Sequence, residues 1–397
     1  MNGLRSWLHY SVVALAPLAI AACSTSVARN AVPIGLADQV DVEGVSQVRH
    51  WGDVPIPNVK QMARLRIKQV REHRPSLLKA KNAQLSLLAI SGGGSDGAYG
   101  AGLLNGWTAS GSRPSFEVVT GVSAGALSAP FAFLGPEYDS QLKEVFTIYA
   151  TEDILTPQLL SGIFGGSAVS DSAPLARLIE KYMTRSTIQK IAAEYRKGRR
   201  LFVGTTNLDS ERPVVWDMGA IANKDTKASR QLFRKILLAS ASIPAAFPPI
   251  FIKVEVDGKT YEEMHVDGGT TDNAFLLPPG FNAREGAGPR GQQLDIQLYI
   301  IANSKLSPSA EIVKANTFAI AGRSISTLIK QQLDGDLLKI YLRSRANETG
   351  FSLTWIPSDF QEVSQDVFDV TYMGKLYEVG YARGRSNNHW RPSPPGL

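Results

Sequence analysis

The sequence predicts an α/β fold, in which a mostly parallel sheet has helices on both of its faces. The short apolar run LSLLAI at 85–90 is typical of a buried parallel strand, and a glycine turn and a helical pattern follow it. The same order returns in FEVVTGVSAGALSAPFAFLG at 116–135, and further strands are predicted at RLFVGTTNL and LDIQLYIIA. Strands that alternate with helices favour this layered architecture. The carboxyl-terminal part is predicted to be helical, with an amphipathic pattern over 311–345.

The composition is that of a globular protein. At 397 residues the chain can hold one large domain or two ordinary ones, and 44% hydrophobic against 20% charged residues indicates a real core. Lys and Arg number 42 against 36 for Asp and Glu, a net charge of +6 that is too small to indicate binding to nucleic acid. No zinc-type Cys/His spacing and no interleaving of aromatic with basic residues is present. We therefore expect no nucleic-acid partner.

The amino terminus predicts export. One basic residue precedes an apolar stretch over 7–22, which is short for a membrane span but suits a signal peptide. The motif Ile-Ala-Ala-Cys ends in Cys23, the only cysteine of the sequence, and resembles a bacterial lipobox. The alternative is cleavage at an Ala-x-Ala-like site that leaves an incidental thiol. We expect residues 1–22 to be removed and Cys23 to be lipidated in the bacterial cell envelope, with Ser24 favouring the outer membrane.

Residues 23–82 precede the first predicted core strand. Up to about residue 57 they are rich in small, polar and proline residues, which predicts a tether. The segment at 58–81 then carries eight basic residues and a single acid, with apolar residues at helical spacing up to Pro75. Its basic face is either solvated or lies on anionic lipid headgroups, and the sequence leaves both interpretations open.

A glycine-rich stretch, SGGGSDGAYGAG at 91–102, follows the first predicted strand of the core. Gly92, Gly94 and Gly97 satisfy the dinucleotide pattern G-x-G-x-x-G, but the acid twenty residues farther on, Glu117, begins the next strand instead of ending it. A P-loop is excluded because no Gly-Lys-Ser/Thr follows. We expect no nucleotide here, and a glycine turn without chemistry remains the alternative for this stretch taken alone.

A second motif gives the glycine stretch a chemical role. GVSAG at 121–125 lies between a predicted strand and a predicted helix, as a nucleophile elbow does. In such an elbow Ser123 takes a strained turn, and Gly121 and Gly125 leave room for the crowded backbone. An acyl-transfer serine also needs hydrogen-bond donors where the oxyanion forms. The backbone N–H groups that we expect to serve as this oxyanion hole are those of Gly92, Gly93 and Gly94.

The serine needs a base to take its proton. Only two histidines follow it: His389 lies in a proline-rich tail, and His265 is two residues before Asp267, on the same face of a predicted strand. We favour a structural hydrogen-bonding role for His265. Asp267 ends the strand, and Gly268 and Gly269 allow a sharp turn that presents its carboxylate. A turn-forming aspartate without chemistry is the alternative.

Together these motifs resemble the patatin-like phospholipase family, which combines a glycine-rich oxyanion loop, G-x-S-x-G and D-G-G/A, and uses a Ser–Asp dyad without histidine. The segments at 205–218 and 239–250 also resemble stretches between the family's serine and aspartate. The likeness covers roughly 85–280. It implies a patatin-like three-layer α/β/α catalytic core at 83–280, which a strand and helices at 281–397 complete.

The resemblance implies a serine acyl hydrolase of lipids, of the phospholipase A or lysophospholipase type, with fatty-acyl esters of membrane lipids as substrates. Ser123 would be the nucleophile and Asp267 the base, and neither a metal nor a cofactor would be required. One position departs from the family pattern, because Asp96 stands where the loop usually has a basic residue. The alternative function is therefore a catalytically weak or inactive envelope lipoprotein of this fold that acts in lipid binding or assembly.

Two apolar stretches are candidates for contact with an acyl chain. ILTPQLLSGIFGGSAV at 154–169 is punctuated by glycine and would suit a mobile cover, with core packing as the equal alternative. Ile243 and Phe247, in ASASIPAAFPPI, would line an acyl pocket, although we favour structural packing for this stretch.

Overall fold

The computed structural model describes residues 29–80, 82–157, 170–276, 293–310, 312–386 and 388–397. The predicted signal peptide, Cys23 and most of the candidate cover lie outside the described residues. Within the described part, no helix is long and apolar enough to cross a membrane.

Strands and helices are numbered in chain order over the described residues. The strands are β1 (Asp41–Val42), β2 (Arg49–Trp51), β3 (Asn82–Ile90), β4 (Phe116–Val122), β5 (Thr156–Pro157), β6 (Ser170–Asp171), β7 (Arg200–Asn207), β8 (Arg212–Asp217), β9 (Ile250–Val256), β10 (Lys259–Asp267), β11 (Gln293–Ala302) and β12 (Gly350–Trp355). The helices are α1 (Val59–His73), α2 (Pro75–Lys79), α3 (Gly97–Ala109), α4 (Ala124–Leu134), α5 (Asp139–Thr147), α6 (Thr151–Ile154), α7 (Ala173–Tyr182), α8 (Arg185–Arg196), α9 (Met218–Asn223), α10 (Lys227–Ser240), α11 (Thr317–Ala346) and α12 (Val370–Ser386).

The central sheet is parallel around its middle and antiparallel beyond β7. Five strands in the order β7-β4-β3-β11-β12 are parallel to one another. β7 also pairs antiparallel with β8 and β10, and β9 and β1 continue the antiparallel part. The β9–β10 hairpin turns at Asp257 and Gly258, which both have positive φ, as a two-residue hairpin turn requires. The predicted α/β fold with a central parallel sheet is confirmed.

Alternate residues of β3 supply two separate cores, one on each face of the sheet. Leu88 and Ile90 point into the larger core, which they share with the buried faces of α3, α4 and α12. Leu87 and Ala89 point into the second core, which α11 covers. Because side chains alternate along a strand, the continuous apolar run at 85–90 was the correct sign of a strand that is buried on both faces.

The basic helix α1 packs at the amino ends of the parallel strands. Arg66 and Arg74 form ion pairs with Glu117 near the start of β4, at 3.1 and 2.6 Å. Burial alone would raise the pKa of Glu117, but the two guanidinium groups hold it below its ordinary value. Glu117, the acid that lies twenty residues after the G-x-G-x-x-G pattern, is therefore a structural ion-pair partner. The exposed basic face of α1 lies at the edge of the sheet opposite the carboxyl ends of these strands.

Candidate active site

Ser123 lies at the sharp turn between β4 and α4. Its backbone has φ 53° and ψ −124°, a left-handed conformation that costs a non-glycine residue about 1–3 kcal/mol. The flanking glycines are required by close backbone contacts: a Cβ on Gly125 would come within 2.6 Å of the Ser91 carbonyl oxygen, and one on Gly121 would collide with the Gly125 backbone. The predicted strand–turn–helix elbow is therefore present, with Ser123 at its tip.

A buried serine that the sequence motifs did not indicate fixes this elbow. The Ser123 backbone N–H donates a hydrogen bond to Ser240 Oγ at 3.0 Å, and the Ser240 hydroxyl donates to the Gly204 carbonyl at 2.6 Å. Ser240 is the last residue of α10 and is fully buried. The elbow is thus tied to β7 as well as to its own strand and helix.

Asp267 is the last residue of β10, and its side chain is almost fully buried. Oδ1 accepts the Gly269 N–H at 2.8 Å, and Oδ2 is buried with no hydrogen-bond partner among the described residues. Burial raises the pKa of the Asp267 carboxyl to about 7, against the opposing effects of the Ser123 hydroxyl and the Gly269 N–H. Ser123 is thus near enough to affect the pKa of the carboxyl, but no hydrogen bond joins the two side chains among the described residues. Catalytic hydrogen bonds are often long before substrate binds.

The two glycines after Asp267 allow this presentation. A Cβ on Gly268 would come within 2.6 Å of the Gly204 carbonyl oxygen, so only glycine fits against β7 at this point. Gly269 supplies the N–H that Asp267 accepts. The structure therefore brings the DGG turn and the serine elbow together from positions that lie far apart in the sequence.

The glycine loop at 92–94 borders the same site, but its three amides differ. The Gly92 N–H donates to the side-chain oxygen of Asn273 at 3.0 Å and to its carbonyl at 3.2 Å, so it is already occupied. Gly93 is exposed, and Gly94 is half-buried with φ +56°. In the described part of the chain, neither of these two amides has an acceptor. The donors left for an anion are therefore those of Gly93 and Gly94, whereas Gly92 anchors the loop.

Asn273 is in turn held by an acid from α11. Asp336 is almost fully buried, and its Oδ2 accepts the backbone N–H groups of Asn273 and Ala274 at 2.7 and 3.2 Å. A second buried asparagine, Asn303, holds the other side of the loop by donating its amide to the Ser91 carbonyl at 2.9 Å. No short motif indicated these residues, because each acts on a segment far away in the sequence.

Asp96, the departure from the family loop, contacts α12. Its Oδ1 accepts the hydroxyl of Tyr372 at 2.6 Å. Burial raises the pKa of Asp96 to about 6, while the Tyr372 hydroxyl and the nearby Lys305 and Lys330 oppose the shift. The carboxylate is not among the groups that line the cavity beside Ser123.

His265 is fully buried in a hydrogen-bond network of its own. Its Nε2 lies 3.1 Å from Glu263, and its Nδ1 lies 3.0 Å from the hydroxyl of Thr205. Burial lowers the pKa of His265 despite the neighbouring glutamate. Both ring nitrogens are engaged away from Ser123, which supports the structural role that we favoured. His389 contacts the ring of Trp390 in the carboxyl-terminal segment, with ring centroids 4.7 Å apart and the rings tilted by 43°.

An apolar cavity opens beside the serine. Its empty space, with the open mouth included, is about 830 Å³. Gly94 and Ser123 form one end, and the remaining wall is almost entirely aliphatic and aromatic. Ile243 and Phe247 are part of that wall, so the stretch for which we favoured structural packing also faces the cavity. Among the described residues, no group of three or more His, Cys, Asp or Glu side chains is arranged to hold a metal ion.

The chain resembles known proteins to different degrees. Residues 88–279 match the family model described as patatin-like phospholipase. Among the curated proteins, no sequence matches the chain. Of the solved structures, VipD from Legionella pneumophila is similar at 12% identity and a TM-score of 0.39, over 77% of this chain and 67% of that one. Human GIVD cytosolic phospholipase A2 is similar at 12% identity and a TM-score of 0.31, over 79% of this chain.

The chain spans 53% of the length of the human enzyme and two thirds of VipD. The order of the motifs, the serine elbow and the family match over residues 88–279 all indicate the same family. Residues 88–279 therefore form a domain of the patatin-like phospholipase family.

Proposed function

We propose that the protein is a serine acyl hydrolase of lipids, of the phospholipase A or lysophospholipase type, in which Ser123 and Asp267 form a catalytic dyad. One observation carries the proposal: a serine on a strained elbow lies near a buried carboxyl whose pKa burial raises to about 7, and the same serine lines an apolar cavity together with Gly94. A group with a pKa near the working pH is well suited to general base catalysis.

The first half of the reaction forms an acyl-enzyme. Asp267 accepts the Ser123 proton as Oγ attacks the ester carbonyl, and the developing oxyanion accepts hydrogen bonds from the amides of Gly93 and Gly94. The positive amino-terminal end of α4, which begins at Ala124, adds favourable electrostatics. When the tetrahedral intermediate collapses, the carbon–oxygen bond to the alcohol breaks, and the alcohol takes the proton from Asp267.

The second half returns the enzyme to its starting state. Asp267 accepts a proton from water as that water attacks the acyl carbonyl. The fatty acid leaves, and the Ser123 oxygen takes the proton back. The apolar cavity supports a long acyl chain as the substrate group next to the scissile bond, because burying each methylene contributes about 0.8 kcal/mol.

Active-site labelling and product analysis test the proposal together. We expect a fluorophosphonate ester to label the wild type at Ser123, and phospholipid or lysophospholipid vesicles to release fatty acid. Ser123→Ala and Asp267→Asn should lower turnover by at least about 10³-fold while remaining folded. Ser128→Ala is the matched control, since Ser128 lies one turn along α4 and donates to the Ala124 carbonyl. A folded wild type that neither labels nor turns over would contradict the proposal.

That negative outcome would favour the alternative, a weak or inactive lipoprotein of this fold. Its sequence support was Asp96 in the oxyanion loop. The hydrogen bond from Tyr372 to Asp96 weakens that support, because it gives the carboxylate a partner on α12.

We further propose that Cys23 is lipidated after residues 1–22 are removed, and that this anchors the enzyme in the bacterial envelope, on the outer membrane. The lipobox-like sequence and the single cysteine of the chain support this. Palmitate labelling in a bacterial host should be lost in Cys23→Ser, and the protein should move from the membrane fraction to the soluble fraction. Labelling that persists in Cys23→Ser would contradict the proposal.

A further inference from the structure

The long helix α11 is buried only in its second half. Leu333 is its first buried residue, and none of the described side chains over 304–332 is buried. This stretch is nevertheless apolar, with Ile312 99%, Ile320 52% and Leu328 69% exposed. Grouped, exposed, large apolar side chains mark an interaction surface. Residues 305–310 and 312–332 are called the projecting segment below.

The projecting segment lies at the catalytic edge of the sheet. Ile329 packs against Gly269 of the DGG turn, and its carbonyl accepts the Asn273 side-chain amide at 3.3 Å. From there α11 runs toward the start of β12, which is parallel to β11, so the helix leads away from the carboxyl ends of the strands. The turns before Ile329 therefore extend beyond the site, by roughly 18 Å at 1.5 Å per residue.

One face of this projecting helix carries two exposed apolar side chains and a serine. Ile320, Ser324 and Leu328 follow each other at intervals of four residues, so their side chains share one face. All three are exposed. The loop before the helix is tied to it by the Lys330 ammonium group, which donates to the Ser307 carbonyl at 2.6 Å.

The projecting segment also carries cations. Lys305, Lys314 and Lys330 form no ion pair with a carboxylate among the described residues. Lys305 and Lys330 also oppose the rise in the pKa of Asp96, so two of these positive charges lie near the glycine loop. Apolar side chains beside lysines fit the boundary between acyl chains and anionic headgroups.

We propose that the projecting segment docks the enzyme on a phospholipid bilayer that contains anionic lipid, with Ile312, Ile320 and Leu328 in the headgroup–acyl boundary. The inference rests on the proposed function for its choice of occupant, since the surface is continuous with the edge at which a lipid ester would react. Docking there presents the glycine loop and the apolar cavity to the lipid surface, while the basic helix α1 stays at the opposite edge.

A single-site fluorescent probe tests the proposal in the full chain. The chain has one cysteine, so Cys23→Ser provides a cysteine-free background, and Ser123→Ala prevents hydrolysis of the vesicles. Ser324→Cys and the control Ala346→Cys each replace a small exposed residue of α11 by cysteine. An environment-sensitive nitrobenzoxadiazole dye is then attached to that cysteine. With vesicles of equal parts phosphatidylcholine and phosphatidylglycerol, we expect a severalfold rise and a blue shift at position 324 and no change at 346.

Substitutions then identify the side chains responsible. Ile320→Ser and Leu328→Ser should each lower the vesicle partition constant, read from the dye at 324, by about tenfold. Leu342→Ser is the matched control, since Leu342 is 57% exposed on the same helix but far from the catalytic edge, and it should change nothing. Lys314→Gln should lower partitioning about fivefold on the anionic vesicles.

Three outcomes would overturn the docking proposal. The first is a dye at position 324 that does not respond to vesicles. The second is a dye at position 346 that responds as strongly as the dye at 324. Alternatively, the signal at 324 shifts without vesicles as protein concentration rises, which would assign the surface to a second copy of the chain. The proposed function is tested separately, by the hydrolysis of a soluble short-chain ester by the protein with Ser123 intact. If that protein hydrolyses no such ester, the proposed function is contradicted, whatever the dye shows about docking.

Discussion

Replacing Asp267 by asparagine should stabilise the folded protein above neutral pH while it abolishes turnover. The carboxyl is 1% exposed, and burial raises its pKa from 3.8 to about 7. An ionised carboxylate at this position has one oxygen, Oδ2, without a partner among the described residues. Asparagine keeps an oxygen that can accept the Gly269 N–H but never carries the buried charge.

The magnitude follows from the difference in pKa. About three pKa units, each equivalent to about 1.4 kcal/mol, amount to roughly 4 kcal/mol. Between pH 4 and 7 the folded chain holds one more proton at this site than the unfolded chain does. The free energy of unfolding of the wild type therefore falls by about 1.4 kcal/mol per pH unit in that window. This contribution is fully present below pH 3.8 and is lost as the pH rises through 7.

Urea unfolding of both proteins at pH 5, 6, 7 and 8 measures the effect. We expect the difference between Asp267→Asn and the wild type to grow by about 1.4 kcal/mol per unit up to about pH 7 and then to level off. Asp225→Asn is the control, because the pKa of this exposed carboxyl is lowered by its hydrogen bond with Gln189 and by its cationic neighbours. Its difference from the wild type should be constant over the same range. A constant difference for Asp267→Asn as well would refute the reasoning.

Further predictions concern the base, the loop anchor and the buried histidine. The rate of hydrolysis of a neutral ester should rise about tenfold per pH unit to about pH 7 and then level off, because only ionised Asp267 accepts the serine proton. A rate that is constant from pH 5 upward would exclude Asp267 as the base. Asn273→Ala should lower the acylation rate 10- to 1000-fold through a displaced glycine loop, and an unchanged rate in a folded variant would argue against anchoring. His265→Gln should lower the urea midpoint of unfolding, since the His265 ring contacts Glu263 and Thr205, but it should retain the wild-type pH dependence of hydrolysis. A variant in which hydrolysis no longer depends on pH near 7 would assign His265 a catalytic role.

The features that the sequence predicted are those that neighbouring residues impose on the backbone. Gly121, Ser123 and Gly125 encode the elbow within five positions, because the strain at Ser123 and the contact between Gly121 and the Gly125 backbone arise between near neighbours in the chain. The strand LSLLAI at 85–90 is local in the same sense. The α/β class, the elbow and the DGG turn at the end of a strand could therefore be predicted without coordinates.

What only the tertiary structure decided is how distant segments share hydrogen bonds and burial. Gly92 differs from Gly93 and Gly94 because Asn273, 181 positions away, occupies its amide. The environment of Asp96 depends on Tyr372, 276 positions away, and the pKa of Asp267 depends on packing that removes water from all sides. A motif specifies residue types and local geometry, whereas the free energy of a buried polar group depends on whichever partners the completed fold brings to it.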